Sequence, residues 1–275
     1  MRQRFLHSPA AVIGSVLVGV FVLAAVGAPT LAPDSPAAQD LSADLAPPSA
    51  AHWFGRDKLG RDVFSRVIYG ARVSLLVGVL VVGTSASIGL VVGAASGYAG
   101  GIADEIVMRT TDVLLAFPGI LLAIGLSAVL GPSLRNVLIA LCAIGWTPYA
   151  RLVRGEVLAW RERDFVIAAA ALGGRPLRVI GRHLLPQLLT PLLVQASFGM
   201  AGAIVGEASL SFLGLGVQPP TPSWGAMVND GRNFLLTAPH VAIFPGLAIT
   251  LVVLGLQLLG DGIRDLLDVT DCGER

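Results

Sequence analysis

The chain has 275 residues, 54% of them hydrophobic and 13% charged, with a formal net charge of +1 and a mean hydropathy of +0.76. A soluble domain carries about 25% charged residues, and a globule of this size needs a polar exterior. The composition therefore excludes an ordinary soluble enzyme and a disordered chain, and leaves an all-α polytopic membrane protein. The near-neutral balance gives no footprint for nucleic acid, and neither Cys142 nor Cys272 sits in a CxxC or metal-ligand spacing.

A membrane-crossing helix needs about 20 mostly apolar residues. Ala10–Ala28 meets this, preceded by Arg2 and Arg4. Its apolar stretch outruns the ~7–15 residues of a signal-peptide core, and Pro29 follows the only plausible cleavage site, so an uncleaved first span is expected. The second span is expected near Val73–Gly97 and ends in the glycine-rich turn Tyr98–Ile102. The third, near Ile106–Leu130, carries Arg109, Asp112 and, in its middle, Pro118. Only Asn136–Ala150 is uncharged in the fourth, where Arg135 and Arg151 bracket the stretch and can snorkel. The fifth, near Leu188–Gly214, contains Glu207 and is stopped by Pro219, Pro220 and Pro222. The sixth, near Val241–Leu259, precedes an acidic tail with Asp261, Asp265, Asp268 and Asp271. Six spans result: residues 1–72 form the first span and a pre-span segment, 73–262 a five-span unit, and 263–275 a tail.

With the N-terminus inside, the inner segments hold eleven of the nineteen Lys and Arg residues, which favours that orientation. The first outer segment is itself basic, with Arg56, Lys58, Arg61, Arg66 and Arg72, but Asp57 and Asp62 stand beside these cations and can pair with them. Charges within spans are candidates for a pathway or gate. Arg109 and Asp112, at i, i+3, can pair locally and either pin helix packing or line a pathway. Glu207 falls near the outer end of its span, as a packing carboxylate beneath the outer loop or a contact in an outer vestibule. Pro118 frees a carbonyl and permits a kink or hinge. Trp224, in Pro219–Gly225, is expected as an interfacial anchor or as part of a surface for an outside protein.

Residues 151–187, between spans four and five, are too long for a bare connection. Phe165–Leu172 is apolar and Ala-rich, with good helix propensity. Gly173-Gly174 ends that helix, and Pro176 suits the first turn of the next. There Leu177, Ile180, Leu184 and Leu185 make an apolar stripe, with Arg175, Arg178 and Arg182 on another face. Two readings fit this basic hairpin: a lipid-headgroup anchor or a docking knob for a partner on the inner side.

Asp164–Pro186, DFVIAAAALGGRPLRVIGRHLLP, resembles the EAA loop of permease subunits of ABC importers: Ala168, Ala169, Gly173, Leu185 and Pro186 match, while the motif's Glu is Ile167. His52–Leu75 and Gly206–Val228 are similar to the pre-span segment and span-five exit of the C-type permeases of dipeptide, oligopeptide and nickel importers. The resemblance implies a type I importer for peptides, with nickel or another small solute as the alternative, in the bacterial cytoplasmic membrane. Its partners would be a sister permease (a heterodimer in this branch), two ATPase subunits that bind ATP and Mg, and an extracytoplasmic binding protein. Ile167, Ala168, Ala169, Gly173, Gly174, Arg175, Arg178 and Pro186 would couple to the ATPase, without the charged contact that the missing Glu makes elsewhere.

Residue chemistry agrees with one half of this. Lys58, the single lysine, follows Asp57 and precedes Leu59, so the chain has no Walker A loop, and no cofactor is expected in it. A secondary transporter working alone would often show inverted repeats, and none is evident. An intramembrane enzyme would need a nucleophile–base set or metal ligands, whereas His7, His52, His183 and His240 are scattered.

Overall fold

The computed structural model describes residues 9–271, with side chains to Asp265. Arg2, Arg4, His7, Cys272 and Arg275 lie outside the described residues, and the side chains of Asp268 and Asp271 are likewise not described. The described chain is helical, with one isolated bridge between Arg56 and Asp62. Five helices are long and apolar enough to cross a membrane, and a bent pair makes a sixth crossing if its halves count as one.

Helix α1 (Pro9–Leu31) lies antiparallel to the last helix, α9 (His240–Asp271). The two backbones nearly touch: a Cβ on Gly14 would stand 2.5 Å from the Leu259 nitrogen, and one on Gly262 would stand 2.5 Å from the Ala11 methyl. Between α1 and α2, residues 32–62 form a strap of turns across one end of the bundle.

Helix α2 (Val63–Ala99) begins ten residues before the expected second span. Its start is fixed by Asp62, whose side chain accepts from the Ser65 N–H at 2.7 Å, as an N-cap does. Its end is fixed by Gly100, at φ 64°. Helix α5 (Leu134–Arg161) is likewise longer than its uncharged stretch. It continues through Arg151, and neighbouring helices supply partners for its arginines. Arg154 pairs with Asp104 at 2.7 Å, Arg151 pairs with Asp112, and Arg161 donates to the Gly97 carbonyl at 2.9 Å.

α2 and α5 run parallel, and glycines make their seam. A Cβ on Gly89 would meet the Ala150 nitrogen at 2.8 Å, one on Gly93 the Ala150 oxygen at 2.4 Å, and one on Gly97 the Arg154 oxygen at 3.0 Å. Small residues every fourth position let two backbones approach closely enough to pack without bulky side chains between them, the arrangement that serves helix pairs in lipid.

The crossover between these parallel helices is α3 (Gly101–Ala116) and α4 (Gly119–Leu130). The expected single third span is instead broken by an 87° bend. Phe117 sits at φ −92°, ψ 143°, the extended conformation that a following proline imposes. Pro118 therefore ends one helix and opens another, a larger effect than a kink.

The fifth span is also longer than expected. Helix α7 (Pro176–Phe212) is continuous, with one wide π turn at Ile180–Leu184. The second limb of the basic hairpin is thus the first two turns of a membrane helix, not a separate element. Short α8 (Trp224–Gly231), capped by Ser223, packs between α7 and α9, with Gly225 against the Ala208 backbone and Gly231 against Ala242.

Candidate functional site: the coupling hairpin and the helix pathway

Helix α6 (Asp164–Ala171) and the start of α7 form the hairpin. Asp164 lies in the first turn of α6, where a carboxylate favours the positive helix end. The turn closes through Gly173 at φ 84°, with the Gly173 N–H on the Ala170 carbonyl and the Gly174 N–H on the Ala169 carbonyl, both at 3.0 Å. A left-handed glycine of this kind satisfies the last carbonyls of a helix.

The hairpin grips the bundle by few side chains. Val166 of α6, with Val179, Leu184 and Leu188 of α7, joins Val153 and Val157 of α5 in one buried cluster. Phe165 rests near Trp160 and His183, and the Arg163 guanidinium lies 5.6 Å over the Trp160 ring. The expected apolar stripe is therefore corrected at one position. Leu184 is buried, but Leu177 is 86% exposed and Val179 takes the inward place. The π turn shifts the register between Leu177 and Leu184, so spacing counted at 3.6 residues per turn misplaces the inner face.

Among the residues expected to couple, Ile167, Ala168, Gly173, Arg175, Arg178 and Pro186 are exposed, and Ala169 and Gly174 are half-buried. Ile167 is 53% and Leu172 is 89% exposed. No carboxylate lies within ion-pair distance of Arg175, Arg178 or Arg182 among the described residues. The turn thus presents an apolar tip flanked by uncompensated positive charge.

The expectations for Arg109 with Asp112 and for Trp224 change, while Glu207 takes the packing role, one of its two expected readings. Arg109 and Asp112 do not pair with each other. Arg109 faces Glu105 at 4.0 Å, both exposed, while Asp112 is held by Arg151 of α5. A cation arriving from a second helix wins the carboxylate. Glu207 is wholly buried and accepts from Ser211 Oγ at 2.6 Å; that hydroxyl in turn accepts from the Val217 N–H at 3.1 Å. It ties the end of α7 to the following loop and meets no vestibule. Trp224 is neither an anchor nor an outer surface. It is 2% exposed, its Nε1 donates to the Val67 carbonyl at 2.9 Å, and Gly70 leaves room for its ring.

Sequence reasoning passed over two features. Asp104 is buried and accepts from Ser96 Oγ and from the Nε and Nη2 of Arg154, one edge of the guanidinium. The four-residue spacing of Gly89, Gly93 and Gly97, visible in the sequence, was the signal for the seam that this cluster closes. The second is a cavity of about 530 Å³ between α2, α4, α5 and α7, lined by Ser85, Tyr149 and Gln195 among apolar residues. Arg109, Asp112, Pro118 and Glu207 are absent from its wall, although Gly119, next to Pro118, is on it.

Residues 89–269 match the family of binding-protein-dependent transport system inner membrane components. The chain belongs to that family. Residues 1–48 also match the N-terminal transmembrane domain of oligopeptide transport permease C. The chain is 46% identical over 258 residues to a dipeptide transport system permease of Alkalihalophilus pseudofirmus, covering 94% of this chain and 85% of that one. It is 46% identical over 261 residues to a probable D,D-dipeptide permease of Escherichia coli, covering 95% and 88%. With a glutathione transport system permease of Pectobacterium atrosepticum it shares 44% over 267 residues, covering 97% and 89%. The hairpin stands at one end of the helix bundle, and the cavity is an open groove between α2, α4, α5 and α7.

Proposed function

We propose that this permease forms half of the translocation pathway of an ATP-driven peptide importer in the bacterial cytoplasmic membrane. A sister permease supplies the other half as a heterodimer, two separate ATPase subunits bind ATP and Mg, and an extracytoplasmic binding protein delivers the solute. The relatives named for dipeptides, D,D-dipeptides and glutathione support a peptide substrate. The lack of a Walker A loop in the sequence supports nucleotide binding by a partner. The N-terminus lies inside, an orientation supported by the positive-charge count, so the hairpin faces the cytosol.

One observation carries the mechanism. The second limb of the hairpin and a membrane helix are a single continuous helix, Pro176–Phe212. A push on Gly173 by a closing ATPase pair is therefore delivered to α7 without an intervening loop, and through Val166 and Val179 to α5. Both helices wall the cavity, so rigid-body displacement of the hairpin changes its width. With Ile167 in place of a glutamate, the contact with the ATPase is apolar burial around Leu172 and Leu177 flanked by arginine.

The test is site-directed crosslinking from Ala169 and Arg175 in native membranes. Capture of a nucleotide-hydrolysing subunit is expected. Failure of both positions to capture one, or labelling of Arg175→Cys from the extracytoplasmic side, refutes the reading.

A further inference from the structure

We infer that the outward face of α7 at the membrane edge seats an anionic phospholipid of the inner leaflet, its phosphate on Arg178 and Arg182 and an acyl chain along Leu189 and Leu193. This rests on the inward placement of the hairpin proposed above. It divides the hairpin in two, because the turn at Gly173, with Leu172, Leu177 and Arg175, is left to the ATPase.

The first turns of α7 carry two faces. Leu184, Leu188 and Leu192, four residues apart, are buried against the bundle. Arg182, Pro186, Leu189 and Leu193, spaced by four, three and four, are exposed, and that is the spacing of one side of a helix. Arg178 stands four residues before Arg182 and is exposed as well. Because Pro176–Phe212 is unbroken, the basic and apolar parts of this outer face are joined rigidly, arginine first and leucine after it.

Depth follows from the helix rise of about 1.5 Å per residue. A hydrocarbon core of ~30 Å takes about 20 residues, which from Leu189 reaches Ser209, near the end of α7 at Phe212. Arg182 then lies about 10 Å before the hydrocarbon edge. The headgroup layer is roughly 5–8 Å thick on each side, and an arginine can reach toward it along its own stem. Arg182 therefore meets the phosphate plane, with Arg178 at its cytosolic margin.

Charge sets the sign of the ligand. Like charges four residues apart on a helix repel, and no carboxylate lies within ion-pair distance of either arginine among the described residues. A guanidinium matches phosphate geometry, and the inner surface of a membrane is rich in anionic lipid. A free anion would leave Leu189 and Leu193 bare. An acidic surface on a cytosolic protein cannot follow the same face into the membrane. A phospholipid meets both halves at once.

The experiment uses the assembled importer, with its sister permease and ATPase subunits, in phosphatidylcholine nanodiscs that contain a minor share of phosphatidylglycerol with a photoactivatable acyl chain. Peptide mapping is expected to place the label on the segment of α7 that holds Leu189 and Leu193. Phosphatidylcholine with the same photoactivatable chain is expected to label it far less. Arg178→Gln with Arg182→Gln is expected to lower phosphatidylglycerol labelling roughly fivefold for each arginine removed, the size of the attraction of one basic side chain to an anionic surface. Arg178→Lys with Arg182→Lys is expected to keep most of it, and the ATPase subunits should stay bound to both variants. Equal labelling by the two photolipids, or full labelling of the glutamine variant, overturns the inference. Loss of the ATPase subunits from the glutamine variant overturns it by giving the arginines to that partner. Displacement of the label by glycerol phosphate at constant ionic strength overturns it by reducing the seat to a site for a free anion. The importer reading fails separately. Labelling of Arg175→Cys from the extracytoplasmic side refutes that reading, whereas absent lipid selectivity with this cysteine facing inward refutes the lipid seat alone.

Discussion

The two ends of the helix bundle treat charge in opposite ways. At the end covered by residues 32–62, Arg56, Lys58, Arg61 and Arg66 are matched within the chain. Asp57 meets Arg61 at 2.7 Å and Arg66 at 3.4 Å, Arg56 meets Asp40 at 2.6 Å, and Lys58 reaches Asp230 at 2.6 Å. At the hairpin end, Arg175, Arg178 and Arg182 are without carboxylates in reach among the described residues, and leucines stand in the open beside them. The first end neutralises these charges within the chain, and the second leaves its positive charge without carboxylates among the described residues. The contrast also accounts for the basic pre-span segment that counted against the orientation. Much of its positive charge is internally neutralised, so it weighs less against translocation than a count of residues suggests.

This difference is best broken by removing a charge from the complete end. Asp57 is 3% exposed, and its loss leaves Arg61 and Arg66 buried with little compensation. Asp57→Ala is expected to destabilise the permease by about 3–5 kcal/mol, the range for breaking a buried ion pair, read as a lowered Tm in detergent. A Tm within a degree or so of wild type would show that the strap is not held by these pairs. Next in size is the glycine seam. Gly93→Leu sets a side chain against the Ala150 carbonyl and is expected to cost about 1–3 kcal/mol or more, with resistance to proteolysis as the check. Gly202→Ala, on open space, is the control and should not destabilise.

At the open end the expectation reverses. Leu177→Glu removes an exposed apolar side chain, so stability should move by no more than about 0.5 kcal/mol, while co-purification with the ATPase subunits falls sharply. A large stability loss there would mean that the hairpin is held by the chain itself. The smallest effect concerns pH at the strap. Hydrogen bonds from Ser42, then Arg56, hold the Asp40 carboxyl below its usual range. A depressed carboxylate contributes stability above its unfolded pKa, and that contribution is lost as pH falls through the folded value. Because Asp40 is exposed to solvent, protease sensitivity within 32–62 should be flat above about pH 5 and rise only in stronger acid. Asp40→Asn should abolish that acid step.

Some features of the site were legible in order along the chain. The Gly173-Gly174 turn, the Pro176 start and the basic face follow from local backbone rules, and the structure keeps them. Others were legible only in part. Pro118 was visible as a disruption, but whether it would kink or break the span depended on the helices on either side. Trp224 carried a residue-type expectation that burial against Gly70 and Phe21 reversed. Arg151 marked the edge of the uncharged stretch, whereas the helix runs on to Arg161.

The sequence by itself determined the membrane character, the number of crossings counted with the bent pair as one, and the hairpin between spans four and five. Hydrophobic length, glycine and proline are local signals, and they act on the nearest few residues whatever surrounds them. Tertiary structure alone decided which carboxylate each arginine holds, that two glycine-spaced helices run parallel, and where space is left between helices. Those outcomes depend on competition among groups far apart in the chain, and only the folded geometry fixes the distances over which that competition is resolved.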